Sequence, residues 1–79
     1  MDVADNGEIF VADTINNRIQ VYDDSGSFIK TFSSQGSQEG QLFYPFGIHI
    51  DNDGTLLICD TYNHRVQGFN QEGEVISVR

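Results

Sequence analysis

One ten-residue stretch occurs twice in this chain. Asp13-Thr14-Ile15-Asn16-Asn17-Arg18-Ile19-Gln20-Val21-Tyr22 returns as Asp60-Thr61-Tyr62-Asn63-His64-Arg65-Val66-Gln67-Gly68-Phe69, at an offset of 47 residues. Gly7 and Gly54, Gly26 and Gly73, and Ile29 and Ile76 fall in the same register, so turns and motif recur together. A repeat of roughly 20 to 50 residues marks an architecture in which one supersecondary unit cannot bury its own faces and must stack on copies of itself.

Within each copy the pattern reads as four short strands. Met1 to Ala4 opens the first copy and Gly47 to Asp51 the second, where the strand is longer, so the first copy begins truncated. Asp5-Asn6-Gly7 and Asn52-Asp53-Gly54 are tight turns, because Gly accepts the positive φ such a loop needs. The runs Ile9-Phe10-Val11-Ala12 and Leu56-Leu57-Ile58-Cys59 are apolar at successive positions, which predicts strands covered on both faces. Polar turns at Thr14 to Asn17 and Thr61 to His64 lead into third strands, Arg18 to Tyr22 and Arg65 to Phe69. Gly68, standing where the first copy has Val21, leaves this strand either looser or closely approached by a neighbour. Hairpins at Gly26 and Gly73 lead into fourth strands, Phe28 to Phe32 and Val75 to Arg79. The expectation is all-β: a four-stranded antiparallel unit over 1–32, a crossing over 33–46, and a second unit over 47–79. In the crossing, Leu42, Phe43, Tyr44 and Phe46 should anchor against a sheet. Pro45 should keep Tyr44 extended and end pairing before the next strand.

Composition limits the function. With 12 acids against 4 bases and a net charge of −8, the chain lacks the clustered Lys and Arg that phosphate binding needs, which argues against a nucleic-acid partner. Asp5, Asp23, Asp24, Asp53, Glu72 and Glu74 fall in expected turns, where they form turns and solubilise. No secretory signal and no long apolar run is written, so no membrane partner is expected and localisation is unreadable. The single Cys59 cannot form an internal disulfide, and in its apolar run it is expected to be a buried, inert thiol.

Four-stranded units joined by a crossing from an outer to an inner strand match the blades of a β-propeller. Pro45-Phe46-Gly47-Ile48-His49-Ile50-Asp51, Asp53-Gly54, Ile58-Cys59-Asp60-Thr61-Tyr62-Asn63-His64-Arg65-Val66-Gln67 and Gly73 together resemble one complete NHL repeat, and the first copy resembles another without its opening. WD40 and kelch blades fit worse, since the chain has no Trp. The resemblance implies rings of commonly six blades, so a chain of two is either an excised piece or a subunit. Three copies would complete a six-bladed ring by heterologous contacts that close.

For function, the resemblance implies an interaction platform that presents blade-end loops to protein partners. The expected role is therefore a non-catalytic structural module whose first partner is itself. The repeated Asp13, Thr14, Asn16 and Arg18, and Asp60, Thr61, Asn63 and Arg65, are expected to hold the polar turn between blades, the carboxylates accepting from nearby Thr, Asn or Arg. A motif built twice fits architecture better than catalysis. The alternative is a lyase- or hydrolase-like propeller with an axial site, and only His49 invites it. In a threefold ring three such imidazoles could supply a zinc-type set. His64, matched by Asn17, is expected to be structural or exposed. No nucleophile elbow, phosphate-cradling loop, HExxH or paired-Cys signature occurs, and no cofactor is expected.

Overall fold

Four glycines set the hairpins. Gly7, Gly26, Gly54 and Gly73 take φ of +91°, +91°, +88° and +94°, values that a side chain would strain, and each closes a tight turn between neighbouring strands. The computed structural model describes residues 1–79 as eight strands: β1 (Asp2–Val3), β2 (Ile9–Asp13), β3 (Arg18–Tyr22), β4 (Phe28–Phe32), β5 (Pro45–Ile50), β6 (Leu56–Asp60), β7 (Arg65–Phe69) and β8 (Val75–Val78), with one 3-10 turn at Thr61–Asn63. They form two antiparallel four-stranded sheets, ordered β1-β2-β3-β4 and β5-β6-β7-β8. The two registers repeat: Asp13 lies opposite Arg18 as Asp60 lies opposite Arg65.

Side chains alternate across each strand, so each sheet has two faces. In β6, Leu56, Ile58 and Asp60 are buried while Cys59 is exposed. In the first sheet the buried face carries Phe10, Ile19 and Val21, and it packs on the Leu56, Ile58 and Phe69 face of the second, with Leu42 of the crossing between them. Phe32 and Phe69 extend the seam, with ring centroids 5.6 Å apart. Each fully buried Phe, Leu or Ile contributes about 1.5 to 3 kcal/mol, so this seam joins the sheets. Polar contacts pin its edges: the Ile50 N–H donates to Asp2 Oδ2 at 2.8 Å, and Lys30 Nζ donates to the Gln71 carbonyl at 2.8 Å.

The seam is heterologous. Phe10 corresponds in the repeat to Leu57, whereas its neighbour across the seam, Leu56, corresponds to Ile9; one kind of face meets the other kind. Left over are the Ile9 and Val11 face of the first sheet, beside exposed Val3 and Phe28, and the Leu57 and Cys59 face of the second, beside Val66.

Four local expectations change. The apolar runs of β2 and β6 predicted cover on both faces, but one chain supplies each sheet with one neighbour, so Cys59 is exposed rather than buried. Pro45 does not end pairing: it opens β5, buried, opposite Asp60. It sits at a strand's first residue, where its missing N–H costs nothing. Tyr44 is not extended but left-handed, with φ of 58°. Its N–H donates to Asn17 Oδ1 at 2.7 Å and its ring stacks on Tyr62 at 4.6 Å, and these two contacts fix the conformation against the local preference. Of the four expected anchors, Leu42 is fully buried, while Phe46 faces solvent. Gly68 is closely approached, since a Cβ there would lie 2.6 Å from Ser77 Oγ.

Candidate functional site

Asp60 ends β6 on the seam face, and β7 returns beside it. Arg65 therefore stands directly opposite and Gln67 one step diagonal, both on the same face. The 3-10 turn brings Asn63 back over the strand end, with His64 closing it in the left-handed region at φ of 55°. All three side chains converge on one carboxylate. Asp60 Oδ2 accepts from Arg65 Nε at 2.7 Å, Asn63 Nδ2 at 3.0 Å and Gln67 Nε2 at 3.1 Å, and Oδ1 accepts from the Phe43 N–H at 2.7 Å. Asp60 is 0% exposed and Arg65 15%.

The outer atoms of this hub hold the crossing by its main chain. Arg65 Nη1 donates to the Ser37 carbonyl, and Nη2 donates to the carbonyls of Gln38 and Gln41, at 2.9 to 3.0 Å. Gln67 Nε2 donates to the Gln41 carbonyl at 2.6 Å, while its Oε1 accepts from the Gly40 N–H at 3.0 Å. Asn63 Nδ2 also donates to the Gly36 carbonyl at 2.8 Å. Gly40 can present its N–H there because it takes φ of +84°. Thr61, expected among the donors, instead contributes its carbonyl, which accepts from the His64 N–H at 3.1 Å.

The first copy builds the same hub at Asp13. Asp13 Oδ2 accepts from Arg18 Nε at 3.3 Å, Gln20 Nε2 at 3.0 Å and Asn16 Nδ2 at 3.1 Å. It lies on the uncovered face, with Asp13 21% exposed and Arg18 41%. Arg18 Nη1 and Nη2 contact no acceptor in the chain. The Thr14 carbonyl accepts from the Asn17 N–H as in the second copy.

Both carboxyls are held below their ordinary value, for different balances of cause. At Asp60 burial pushes the pKa up, and the donors Phe43, Asn63, Arg65 and Gln67 together outweigh it. At Asp13 the bond from Asn16 leads, burial opposes it, and Arg18 and Gln20 add to the lowering. Both are acceptor-only anions surrounded by donors, an arrangement suited to orienting neighbouring groups rather than to proton transfer.

The sequence expectation for this site omitted Gln20 and Gln67. Their signal was present, since both occupy the same register position, and Gln67 is fully buried. The crossing's carbonyls carry no sequence signal at all. His49 stands apart, its side chain 69% exposed and its Nδ1 3.7 Å from Asp2 Oδ2. Within one chain no group of three His, Cys, Asp or Glu side chains is arranged to hold a metal ion. No helix is long and apolar enough to cross a membrane.

Among known proteins, Protein brain tumor of Drosophila melanogaster is 47% identical to this chain over 38 residues. The match covers 48% of this chain, and the chain spans about 4% of that protein's length. The NHL repeat pattern matches residues 1–22 and 44–69, taking in both hubs and most strands of both sheets. With two propeller-type blades and a match over most of its length, the chain belongs to the NHL repeat family.

Proposed function

We propose that this chain is a non-catalytic assembly and interaction module, a pair of NHL blades that joins further copies into a closed propeller ring and presents its loops to protein partners. The observation that carries this reading is the heterologous seam. Inside the chain, a Phe10-type face already covers a Leu56-type face, and the two faces left over are the other members of the same pair. A second copy docking its Leu57 and Cys59 face on Ile9 and Val11 would repeat a contact the molecule already makes, and stacked repeats contact chiefly their neighbours. Three copies make six blades, the number the family commonly uses, and a heterologous contact that closes leaves no face uncovered. The hub residues Asp13, Asn16, Arg18, Asp60, Asn63 and Arg65 serve as scaffold in this reading, with Thr14 and Thr61 contributing through their turn carbonyls.

Cross-linking tests the geometry. In the repeat Val11 corresponds to Ile58 and Cys59 to Ala12, and Ala12 packs against the core cluster that contains Ile58, so a cysteine at Val11 on one copy should lie on the face that meets Cys59 of the next. A bifunctional thiol reagent with a spacer long enough to reach between packed sheets, about 10 Å apart, should give covalent species ending at three chains with Val11→Cys, whereas the parent chain, with Cys59 alone, should not cross-link. Parent dimers joined through Cys59 would indicate face-to-face pairing of like surfaces, contradicting the ring.

A further inference from the structure

Antiparallel strands return on one another, so the hairpin turns of each sheet, at residues 5–7 and 23–26 in the first and 51–54 and 70–73 in the second, stand at one end of its strands. At that end a cleft of about 330 Å³ opens between the two blades, with Val3 and Asp5 on one wall and Ile50, Asp51 and Gln71 on the other. A second hollow, of about 380 Å³, shares Gly54 and Gln71 with the first and runs on to Asp53, Glu72 and Ile76. Together they make one groove, leading from the seam onto the second blade.

The groove carries charge of one sign. Asp5, Asp51, Asp53 and Glu72 line it with no cation among the lining residues, and none of these carboxylates forms an ion pair in the chain. The three arginines stand at the far end of the sheets: Arg18 and Arg65 open β3 and β7, and Arg79 pairs with Val66 beside them. A five-residue strand such as β3 spans about 17 Å, twice the roughly 8 Å over which charge is felt at physiological salt, so the arginines do not neutralise the groove. Lys30 alone comes near, and its Nζ donates to the Gln71 carbonyl at 2.8 Å rather than to a carboxylate. The groove wall thus already receives one ammonium group through its main chain, while its carboxylates stay free. Between them lies aliphatic surface, since Val3 is 51% exposed, Ile76 57% exposed and Ile50 half-buried. Gln71 Nε2 donates to the Gly54 carbonyl at 3.1 Å, leaving its Oε1 as a further acceptor. Aliphatic surface beside anionic and amide acceptors suits Lys and Arg side chains, which bury their stems and pair their heads. It does not suit a bare metal ion, because no three acidic or imidazole side chains converge.

We propose that this inter-blade groove is a docking site for a Lys- or Arg-rich segment of a partner protein, whose charged heads pair with Asp5, Asp51, Asp53 and Glu72 while its aliphatic stems lie on Val3, Ile50 and Ile76. The site rests on the interaction-module reading and gives that partner a chemistry. It does not need ring closure, because both walls belong to one chain.

The test titrates the whole chain into a fluorescently labelled oligolysine peptide and follows anisotropy, with an oligoglutamate peptide as control. Saturable binding of oligolysine alone is expected, weakening as sodium chloride is raised. Asp5, Glu72 and Glu39 are all exposed, so charge reversal at each should leave the fold intact, which circular dichroism checks. Asp5→Lys and Glu72→Lys should each weaken binding at least about fivefold, whereas Glu39→Lys, the same change of charge on the crossing at the far end, should leave it within about twofold. Equal losses at the three positions would mean general attraction to an acidic chain and would overturn the groove. Absence of saturable binding at millimolar peptide would overturn it too, as would displacement of the peptide by calcium chloride where sodium chloride of equal ionic strength has no effect. Light scattering on the same samples keeps the two claims apart: rings that ignore the peptide overturn the groove and leave assembly standing, and a single chain that binds it supports the groove without the ring.

Discussion

The hub at Asp60 and the hub at Asp13 are the same residues in the same register, yet one is a buried anchor and the other a surface ion pair. The Arg-to-Asp distance is 2.7 Å in the first and 3.3 Å in the second. What differs is the crossing: residues 36–43 lie over Asp60 and exclude water, while Asp13 faces the open side of its sheet. Identical motifs in a repeat protein thus do not carry identical free energy. Charge pairs gain or lose weight with desolvation, and in a propeller that desolvation is supplied by the neighbouring blade's connection.

The largest expected consequence is an asymmetry in mutation. Asp60→Ala leaves a buried guanidinium, two amides and the Phe43 N–H without their acceptor and should destabilise by about 3 kcal/mol. Arg65→Ala should cost about 1 to 3 kcal/mol through the carbonyls of Ser37, Gln38 and Gln41 left unpaired. Asp13→Ala and Arg18→Ala should each cost under about 1 kcal/mol. Denaturant unfolding of the four variants measures this directly, and equal losses at the two hubs would break the comparison.

Acid should act on the same contrast more gently. Because the folded pKa of both carboxyls is depressed, their contribution is present above the unfolded value near 3.8 and is lost as pH falls through the lower folded values. Stability should therefore hold near neutral pH and decline below about pH 4. Asp60→Asn should flatten that decline more than Asp13→Asn does. Stability that rises on acidification would refute this assignment.

Much of this contrast was legible in the chain, and the reasons for the rest are physical. Spacing alone located three strands to the residue, Arg18–Tyr22, Phe28–Phe32 and Arg65–Phe69, because turn glycines and alternation are local signals. The hub's carboxylates, Asn and Arg were visible as a motif written twice. Cys59 was misplaced because an apolar run does not say which side of a strand is covered, and in this chain only the Leu56, Ile58 and Asp60 side is. Tyr44 was misplaced because a contact with Asn17, far away in sequence, overrides the preference that a following proline imposes. The carbonyls gripped by Arg65 could not be read at all, since every residue has one.

The smallest expected effect concerns His49, exposed at the inner strand. Zinc should leave the melting temperature unchanged; a rise that disappears in His49→Ala would mean that imidazoles from several copies converge on a metal, stabilising the folded ring by linkage.

The central claim is that the two uncovered blade faces are one another's partners. Light scattering across a concentration series tests it most directly. The account predicts a species of about three times the 8.8 kDa chain mass, with an unfolding midpoint that rises with protein concentration. A folded single chain at micromolar concentration, with a midpoint independent of concentration, would contradict it.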